Sequence, residues 1–414
     1  MNWRRRFIAA VSVAALAGIL TSSALADEVA LTIGKLLELT GPLSENAPSQ
    51  DKAINIAVDY ANQAAQSAGV PIKATAISAD VQGDPQAALS AARALVAKGA
   101  TVFIGPSITP ESIAIANGLT IQKKITVWPV GTSMRLRTIK DEGTIFRTVP
   151  PDSLQARAVA AAVEDKLGAA KGKVLSIAYR NEPYGEGLFK DLSAAWQAKG
   201  GKIQGPIVYD PTQATFDSEA QQIVDNNPDA YVVIDYPDTF AKVGAALVRT
   251  GKFDPSKLVV PDALAFSTVP SNIPPQALEG ARGTRGGSDT STQAYKLFDD
   301  LWQKAGGVEH FALDANSFDS TTLAILAAAA AKSADPAAIQ GKIHSVTKPG
   351  AAKYSPTNLG DALKAVWAGQ PIDYVGVAGA FEFAPNGDPT ISRFDIFEYR
   401  DGKLHVIKQI DAAE

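Results

Sequence analysis

The hydrophobic positions of the chain form short apolar runs that alternate with longer amphipathic segments. Between residues 101 and 132, one run at Val102–Ile104 stops at Gly105, and a second run over residues 125–128 stops at a proline. The apolar residues between them recur at helical spacing, which predicts a helix with one buried face. A strand, a helix and a second strand in this order form a βαβ unit, in which the two strands lie parallel.

The same alternation extends over most of the chain, and the second half repeats the architecture of the first. Further predicted strands cover residues 30–39, 72–77, 146–148, 174–179, 203–209, 230–235 and 258–260. Predicted helices cover residues 53–64, 86–98, 153–166, 188–199, 292–305, 314–332 and 337–346. Residues 280–287 predict a crossing point, and strands over 381–383 and 393–399 close the chain, with a hairpin turn at Asp401-Gly402. The fold class predicted is α/β with doubly wound parallel sheets.

Composition narrows the function classes. The chain has 414 residues, a net charge of −4 and a pI near 5.6, which argues against a nucleic-acid partner. It contains no cysteine, which excludes disulfides, thiolate zinc sites, cysteine nucleophiles and a lipid-modified N-terminal cysteine. Its three histidines are scattered without metal-ligand spacing, so no metal or cofactor is predicted.

The first 26 residues have the features of a secretory signal. Three arginines at positions 4–6 precede an apolar segment over residues 7–20, and Ala24-Leu25-Ala26 is a small-x-small cleavage site. We therefore expect the mature chain to begin at Asp27, in the periplasm, by either the general or the twin-arginine export route. No later segment is long and apolar enough to predict a membrane-spanning helix.

Known catalytic signatures are missing. The sequence has no G-x-S-x-G elbow, and the phosphate-loop-like stretch at 168–173 is one residue short and precedes a strand. The chain is therefore not predicted to be an enzyme. The alternative is an exported α/β hydrolase that uses Asp235 or Asp262 as a base, but no nucleophile or metal is supplied beside either residue.

Polar and aromatic residues stand at successive predicted strand ends in both halves. They are Thr109, Thr132, Tyr184, Asp235, Tyr236 and Asp262. The carboxyl ends of parallel strands meet at one sheet edge, where small ligands bind. Threonine hydroxyls suit a carboxylate, tyrosine offers an apolar face with a polar tip, and a buried aspartate suits an ammonium group. The structural alternative is that Thr109 caps its helix and Thr132 ends its strand.

Several short motifs carry a resemblance that spans essentially the whole mature chain. They are residues 39–42 (LTGP), Asp80 with Asp84-Pro85, residues 104–107 (IGPS) and residues 184–187 (YGEG). On these residues the chain resembles the type I periplasmic binding proteins of ABC transporters, in the leucine/isoleucine/valine-binding family.

The resemblance implies two α/β lobes joined by a three-segment hinge, closing on a small ligand. The N-terminal lobe is expected to contain residues 27–148 plus 284–380, and the C-terminal lobe residues 149–283 plus 381–414. The implied protein is a monomer that delivers its ligand to an inner-membrane ABC permease. A ligand sensor that docks on a membrane receptor would have the same fold.

The resemblance also implies roles for single residues. Thr109 falls where the family places a hydroxyl on the ligand carboxylate, and Val130 and Thr132 fall where backbone and hydroxyl meet the carboxylate and the amine. Tyr184 matches a tyrosine that covers the ligand, and Asp262 matches an acid that takes the ammonium group.

This chain departs from the family at three places. Asn46 falls near an aromatic residue of the first loop, and Asp235-Tyr236 lies within one residue of another family tyrosine. Ile108, Pro110 and Glu111 replace a sequence that is often serine-rich. The resemblance implies an amino acid of the branched-chain type as the ligand, and these departures weaken that assignment, so an aromatic acid, an amide or urea are kept as alternatives.

Overall fold

The computed structural model describes residues 28–311 and 313–413. The predicted export signal and the predicted mature start at Asp27 lie outside the described residues. Among the residues described, no helix has the length and apolar character needed to cross a membrane.

The first half of the chain builds a parallel sheet of four strands in the order β2-β1-β3-β4. Its strands are β1 (Val29–Leu37), β2 (Ile72–Asp80), β3 (Val102–Ile104) and β4 (Thr126–Trp128). Each of the three pairings is parallel, as the βαβ pattern predicts. The carboxyl ends of β3 and β4 therefore lie side by side.

A second sheet of seven strands has the order β13-β12-β9-β8-β7-β5-β6. Its strands are β5 (Val174–Arg180), β6 (Lys202–Tyr209), β7 (Ala230–Ile234), β8 (Leu258–Val260), β9 (Arg282–Gly286), β12 (Ile391–Arg400) and β13 (Lys403–Ala413). Strands β5 to β9 pair in parallel, whereas β12 is antiparallel to both β9 and β13. A separate two-stranded sheet joins β10 (Ala352–Tyr354) and β11 (Ile372–Tyr374).

Helices cover the faces of both large sheets. They are α1 (Ala47–Ala68), α2 (Pro85–Ala97), α3 (Thr109–Ile115), α4 (Ile121–Lys123), α5 (Asp152–Leu167), α6 (Pro183–Ala198), α7 (Asp217–Val224), α8 (Pro237–Arg249), α9 (Pro275–Leu278), α10 (Gln293–Ala305), α11 (Asp314–Ala331), α12 (Pro336–Gln340), α13 (Ile343–Val346) and α14 (Leu359–Trp367). A π-helical turn at Ala116–Thr120 joins α3 to α4, and short 3₁₀ turns lie at Met134–Thr138, Pro255–Lys257, Asp262–Leu264 and Pro356–Asn358.

The core of the first lobe draws on distant parts of the chain. It contains Val29 near the start of the described residues and Phe381 far along the chain, and the helices α1, α11 and α14 pack against one another. Nearly every residue of α11 is buried, because its alanine-rich sequence leaves room for neighbours on all sides. The alanine run of the sequence is therefore a buried core helix.

Three segments were predicted differently from what the structure shows. Residues 280–287, predicted as a crossing point, contain β9, which pairs with β8 and β12. Residues 146–148 and 381–383 are not strands. Their aromatic residues instead pack together, with the ring centroids of Phe146 and Phe383 5.7 Å apart and those of Trp128 and Phe146 5.4 Å apart.

The chain passes between the two sheets after β4, after β9 and before β12. The boundary predicted at residue 283 falls inside β9, and Phe381, placed in the second lobe by prediction, packs in the first core. The crossing after β9 therefore follows Gly286, and the crossing before β12 follows Phe381.

Candidate functional site

A cavity lies where the carboxyl ends of strands from both sheets face each other. Its volume is about 40 Å³. Its lining residues are Leu43, Asn46, Gln50, Ser107, Thr109, Val130, Thr132, Tyr184, Tyr236, Asp262, Ala263 and Leu313. Seven of the eight residues proposed from the sequence are among them, and we refer to this cavity as the cleft.

A larger cavity of about 460 Å³ lies at the crossing segments, where Thr148, Gly287 and Arg393 contribute to its wall. Size alone would favour it as a ligand site. However, none of the described polar side chains that line it is both buried and without a partner, whereas the cleft contains two such atoms, Asn46 Oδ1 and Thr109 Oγ1. Unpartnered buried polar atoms are costly, so they point to the cleft as the binding site.

Thr109 occupies the first position of α3, directly after the loop that leaves β3. Its side chain is buried and its hydroxyl makes no hydrogen bond to the protein. The preceding residue, Ile108, holds the cap position without a side-chain cap bond. The alternative in which Thr109 simply caps its helix is therefore contradicted, and its hydroxyl is available to a ligand.

The loop that carries Thr109 is held by hydrogen bonds from Ser107 to Gln50 and Glu38, two residues that the sequence analysis did not single out. The Ser107 hydroxyl and the Gln50 side-chain amide are hydrogen-bonded, with Gln50 Nε2 3.0 Å from Ser107 Oγ. The Ser107 amide donates to Glu38 Oε1 at 2.8 Å. Gln50 and Ser107 also line the cleft. Gln50 lies on α1, 57 residues before Ser107, so no local sequence pattern shows this contact.

Thr132 follows β4 and meets the start of α5. Its carbonyl oxygen accepts a hydrogen bond from the amide of Asp152 at 2.9 Å. Burial raises the pKa of the Asp152 carboxyl well above its usual range, the charge of Asp262 adds to this, and the Thr132 hydroxyl opposes it. Asp152, absent from the sequence-based set, therefore lies directly behind the cleft.

Tyr184 and Tyr236 form the wall contributed by the second lobe. Their rings stack with centroids 5.3 Å apart and planes within 3° of parallel. The Arg180 guanidinium lies over the Tyr236 ring, 4.1 Å from its centroid. Tyr184 lies in the first turn of α6, which begins at Pro183 and not at residue 188 as predicted, because proline suits the first helical position.

Asp262 follows β8 and is held in place by neighbours. Its Oδ1 accepts hydrogen bonds from the Tyr184 hydroxyl at 3.1 Å and from the Ala263 amide at 2.9 Å. Burial raises the pKa of Asp262, while the hydrogen bonds from Tyr184 and Gln155 oppose this rise. Burial also raises the pKa of Tyr184 well above its usual range, so its hydroxyl stays a donor at ordinary pH.

Asp235 is the one residue of the sequence-based set that does not line the cleft. It is fully buried, accepts a hydrogen bond from the Tyr236 amide at 2.8 Å, and pairs with Arg180 at 3.3 Å. Burial raises the pKa of Asp235 to about 7, although the charge of Arg180 opposes this. Through the Tyr236 amide and Arg180, the Asp235 side chain holds Tyr236 in place without contacting the cleft.

The charge of the cleft lining is one-sided. Asp262 is the one carboxylic acid among the described lining residues, and none of them is Lys, Arg or His. The described residues also contain no cluster of three or more His, Cys, Asp or Glu side chains that could hold a metal ion. The cleft therefore offers hydroxyl and amide groups on one side and an acid with two tyrosines on the other.

Two α/β lobes with a polar cleft between their strand ends define the class of bilobed solute-binding proteins. A family model described as "Periplasmic binding protein" matches residues 30–381, and the chain belongs to this family. Members of this family bind small molecules and are not enzymes, and they work with ABC transporter permeases.

Individual relatives agree with this assignment. The chain is 26% identical over 365 residues to the chemotactic signal transduction system substrate-binding protein BasB of Halobacterium salinarum, covering 87% of this chain and 84% of BasB. It is 30% identical over 170 residues to the Leu/Ile/Val-binding protein BraC3 of Rhizobium johnstonii, covering 41% of this chain and 45% of BraC3. The chain thus spans less than half the length of two of the curated relatives that it matches.

Solved structures confirm the fold. A leucine-binding protein LivK from Thermotoga maritima matches with a TM-score of 0.74 at 20% identity, covering 92% of this chain and 98% of that chain. A solute-binding protein of an ABC transporter from R. palustris, in complex with 4-hydroxybenzoate, matches with a TM-score of 0.72 at 16% identity, covering 93% and 98%. The predicted type I periplasmic binding fold is therefore confirmed.

Proposed function

We propose that the protein is the exported receptor of an ABC importer and binds an α-amino acid with an uncharged side chain, of the branched-chain type. The observation that supports this is the pairing of Asp262 with the Tyr184 hydroxyl, 3.1 Å apart, in a cleft without a described basic lining residue. The Asp262 carboxylate has no cationic partner among the described lining residues, and the ammonium group of an amino acid would supply one. An amino acid also carries a carboxylate for the opposite wall.

The opposite wall suits that carboxylate. Thr109 presents a buried hydroxyl without a protein partner, and Thr132 adds a further hydroxyl to this wall. Hydrogen bonds to an ionised group are stronger than those between neutral groups, so a carboxylate would satisfy this wall well. The apolar part of the ligand would then contact Leu43, Val130 and Leu313.

An aromatic acid is the second candidate. The stacked rings of Tyr184 and Tyr236 offer a flat apolar surface, and one structural neighbour holds 4-hydroxybenzoate. Against this candidate, the cleft lining supplies no described cation to balance the charges of Asp262 and of a simple acid. Two like charges in a buried site repel each other strongly, which favours the amino acid.

The partner at the membrane is also proposed. A permease fits the family, and delivery by a monomer from the periplasm fits the predicted signal peptide. A chemoreceptor is the alternative, because BasB belongs to a chemotactic signal transduction system. Capture of the ligand-loaded protein by the permease subunits encoded beside its gene, tested against chemoreceptors of the same cell, would distinguish the two.

Calorimetric titration with leucine, isoleucine and 4-hydroxybenzoate tests the ligand class. Removing one partner of a buried ion pair costs about 3–5 kcal/mol. The substitution Asp262→Ala is therefore expected to lower the affinity for an amino acid more than about a hundredfold. A simple acid should bind equally well or more tightly, because the repulsion from the Asp262 carboxylate is removed. The exposed control Asp217→Ala should change neither affinity. Equal losses for both ligand types in Asp262→Ala would contradict the ammonium assignment.

A further inference from the structure

Glu38 lies directly after β1 and beneath the loop that carries Thr109. It is buried, and its Oε1 accepts hydrogen bonds from two backbone amides, Ser107 at 2.8 Å and Ile108 at 3.1 Å. Both amides belong to the turn that leads into α3. A single carboxyl oxygen therefore fixes the backbone on which the cleft residues Ser107 and Thr109 are placed.

Glu111 lies in the first turn of α3 and is fully buried. Neither of its carboxyl oxygens accepts a hydrogen bond of normal geometry, although the nearby amides of Gly83 and Ile108 partly stabilise its charged form. Burial raises the pKa of Glu111 to about 11, and the charge of its neighbour Glu38 adds to the rise. Among the charged side chains of the described residues, Glu38 is the one that contributes to the rise in the pKa of Glu111.

Glu38 and Glu111 both lie at the amide of Ile108, which donates to Glu38 Oε1 at 3.1 Å and also stabilises the charged form of Glu111. Two ionised carboxylates at this place could not satisfy each other, because each can only accept hydrogen bonds. One proton between them removes the repulsion and supplies the missing donor. We propose that Glu38 and Glu111 share one proton, as a carboxylate and a carboxylic acid, and that this pair positions the Ser107–Thr109 loop for the ligand. The inference rests on the proposed function only in treating this loop as part of the ligand site.

The pair separates two roles. In the proposed pair, the O–H group of the Glu111 carboxylic acid donates a hydrogen bond to the Glu38 carboxylate. Glu38 Oε1 accepts hydrogen bonds from the amides of Ser107 and Ile108. Glu38 is thus a positioning residue that acts on the ligand through Ser107 and Thr109. With one shared proton the pair carries one negative charge, whereas two ionised carboxylates would carry two. The smaller charge near the Thr109 wall limits repulsion of the ligand carboxylate.

The protonation of Glu111 is tested by infrared spectroscopy on the ligand-free protein. At neutral pH, the wild type minus Glu111→Gln difference spectrum is expected to show the C=O stretching band of a protonated carboxyl group. The exposed control Glu309→Gln should show only carboxylate bands. A Glu111→Gln difference spectrum without a protonated band would overturn the shared proton.

The positioning role is tested by comparing Glu38→Gln with Glu38→Ala. Glutamine keeps one oxygen that can accept both amides, whereas alanine removes the acceptor. Hydrogen exchange over residues 103–112 of the ligand-free protein should be near that of the wild type in Glu38→Gln and at least about tenfold faster in Glu38→Ala. If both variants protect this segment as the wild type does, Glu38 does not position the loop.

Ligand affinity and pH give independent readouts. With leucine as the probe, Glu38→Ala should bind about tenfold more weakly, and Glu38→Gln within about threefold of the wild type. Since the folded pKa of Glu111 lies above its unfolded value, its contribution to stability is complete at acidic pH and is lost as the pH rises. The denaturation midpoint of the wild type should therefore fall more steeply than that of Glu111→Gln between about pH 6 and pH 9.

These readouts also distinguish failure of the pair from failure of the proposed ligand class. If leucine does not bind, the infrared and exchange experiments still decide the inference, because both use the ligand-free protein. If leucine binds but both Glu38 variants bind it equally well, the proposed function stands and the positioning role is contradicted.

Discussion

Arg147 and Asp388 form a bidentate ion pair beside the point where the chain crosses between the lobes. Arg147 Nε lies 2.6 Å from Asp388 Oδ1, and Arg147 Nη2 lies 2.6 Å from Asp388 Oδ2. The guanidinium is fully buried, and its Nη1 donates to the carbonyl oxygens of Gly131 at 3.2 Å and Ser133 at 3.0 Å. Because these two residues flank Thr132, the ion pair fixes one wall of the cleft.

Asp388→Ala should destabilise the protein strongly, because it leaves the buried Arg147 guanidinium without its acid. The expected loss is about 3–5 kcal/mol in the free energy of unfolding, measured by urea denaturation. The matched control is Asp217→Ala, which breaks the exposed pair with Arg249 and should change stability by less than about 1 kcal/mol. Similar losses in the two variants would contradict a structural role specific to the buried pair.

Thr109→Val should separate ligand binding from stability. The valine keeps the shape of the side chain and removes a buried hydroxyl that has no protein partner. The unfolding free energy of the ligand-free protein should therefore stay constant or rise, while ligand affinity falls by about tenfold. Thr126→Val is the control, because the Thr126 hydroxyl is also buried and unpartnered but lies outside the cleft lining. An unchanged affinity in Thr109→Val would remove Thr109 from the ligand site.

Tyr184→Phe should change the pH dependence of amino-acid binding. The Tyr184 hydroxyl donates to Asp262 and lowers the pKa of its carboxyl against the larger effect of burial. Without this hydrogen bond the pKa of Asp262 rises, so Asp262 becomes protonated and loses its ammonium partner at a higher pH. Calorimetry across a pH series should show the acidic loss of affinity shifted to higher pH.

The control for that prediction is Tyr236→Phe, which alters the same wall of the cleft. Glu182 is the hydrogen-bond partner of the Tyr236 side chain, whereas Asp262 acts on Tyr236 through its charge. The pH profile of Tyr236→Phe should therefore follow the wild type. A shift of equal size in both variants would mean that general changes in the tyrosine stack, and not the bond to Asp262, set the profile.

Gly105→Ala should disrupt the turn that leads from β3 into the cleft. Gly105 has a φ of 87°, and an added Cβ would lie 2.1 Å from the carbonyl oxygen of Leu36. The expected cost is more than about 3 kcal/mol, from the left-handed backbone and from the clash together. Gly99→Ala has a similar φ of 94° without a neighbour within 4 Å, so it should cost about 1–2 kcal/mol. Thermal unfolding of the two variants measures the difference.

The strand ends could be predicted from the sequence because they depend on local patterns. Apolar runs that end at Gly, Pro or a hydroxyl residue identified the ends of β3, β4 and β8, and parallel pairing placed Thr109 and Thr132 in one region. Asp235 was misplaced relative to the cleft, because the backbone after a strand end determines which side chain faces inward. The Tyr236 ring stacks on Tyr184 in the cleft, whereas the carboxylate of the adjacent Asp235 accepts the Tyr236 amide and pairs with Arg180 outside the cleft lining.

Contacts between distant residues could not be predicted. Arg147 and Asp388 are 241 residues apart, and no periodicity reports such a pairing. The sequence of β9 was misleading for a related reason. Its glycines and arginines suggested a crossing point, but an added Cβ at Gly283 would lie 2.3 Å from the Phe397 ring. Residue 283 lies within a regular strand, and it is a glycine because β12 packs too closely for a side chain there.

The first hydrophobic core, which contains both Val29 and Phe381, also constrains the order in which the chain can fold. No continuous N-terminal fragment that ends before α11 and α14 contains the helices that cover α1 and β1. Such a fragment would expose apolar surface and bury little of it, so we expect the first lobe to fold only after most of the chain has been synthesised. Truncations that end between residues 150 and 310 should accordingly yield insoluble or protease-sensitive products and not a free-standing half.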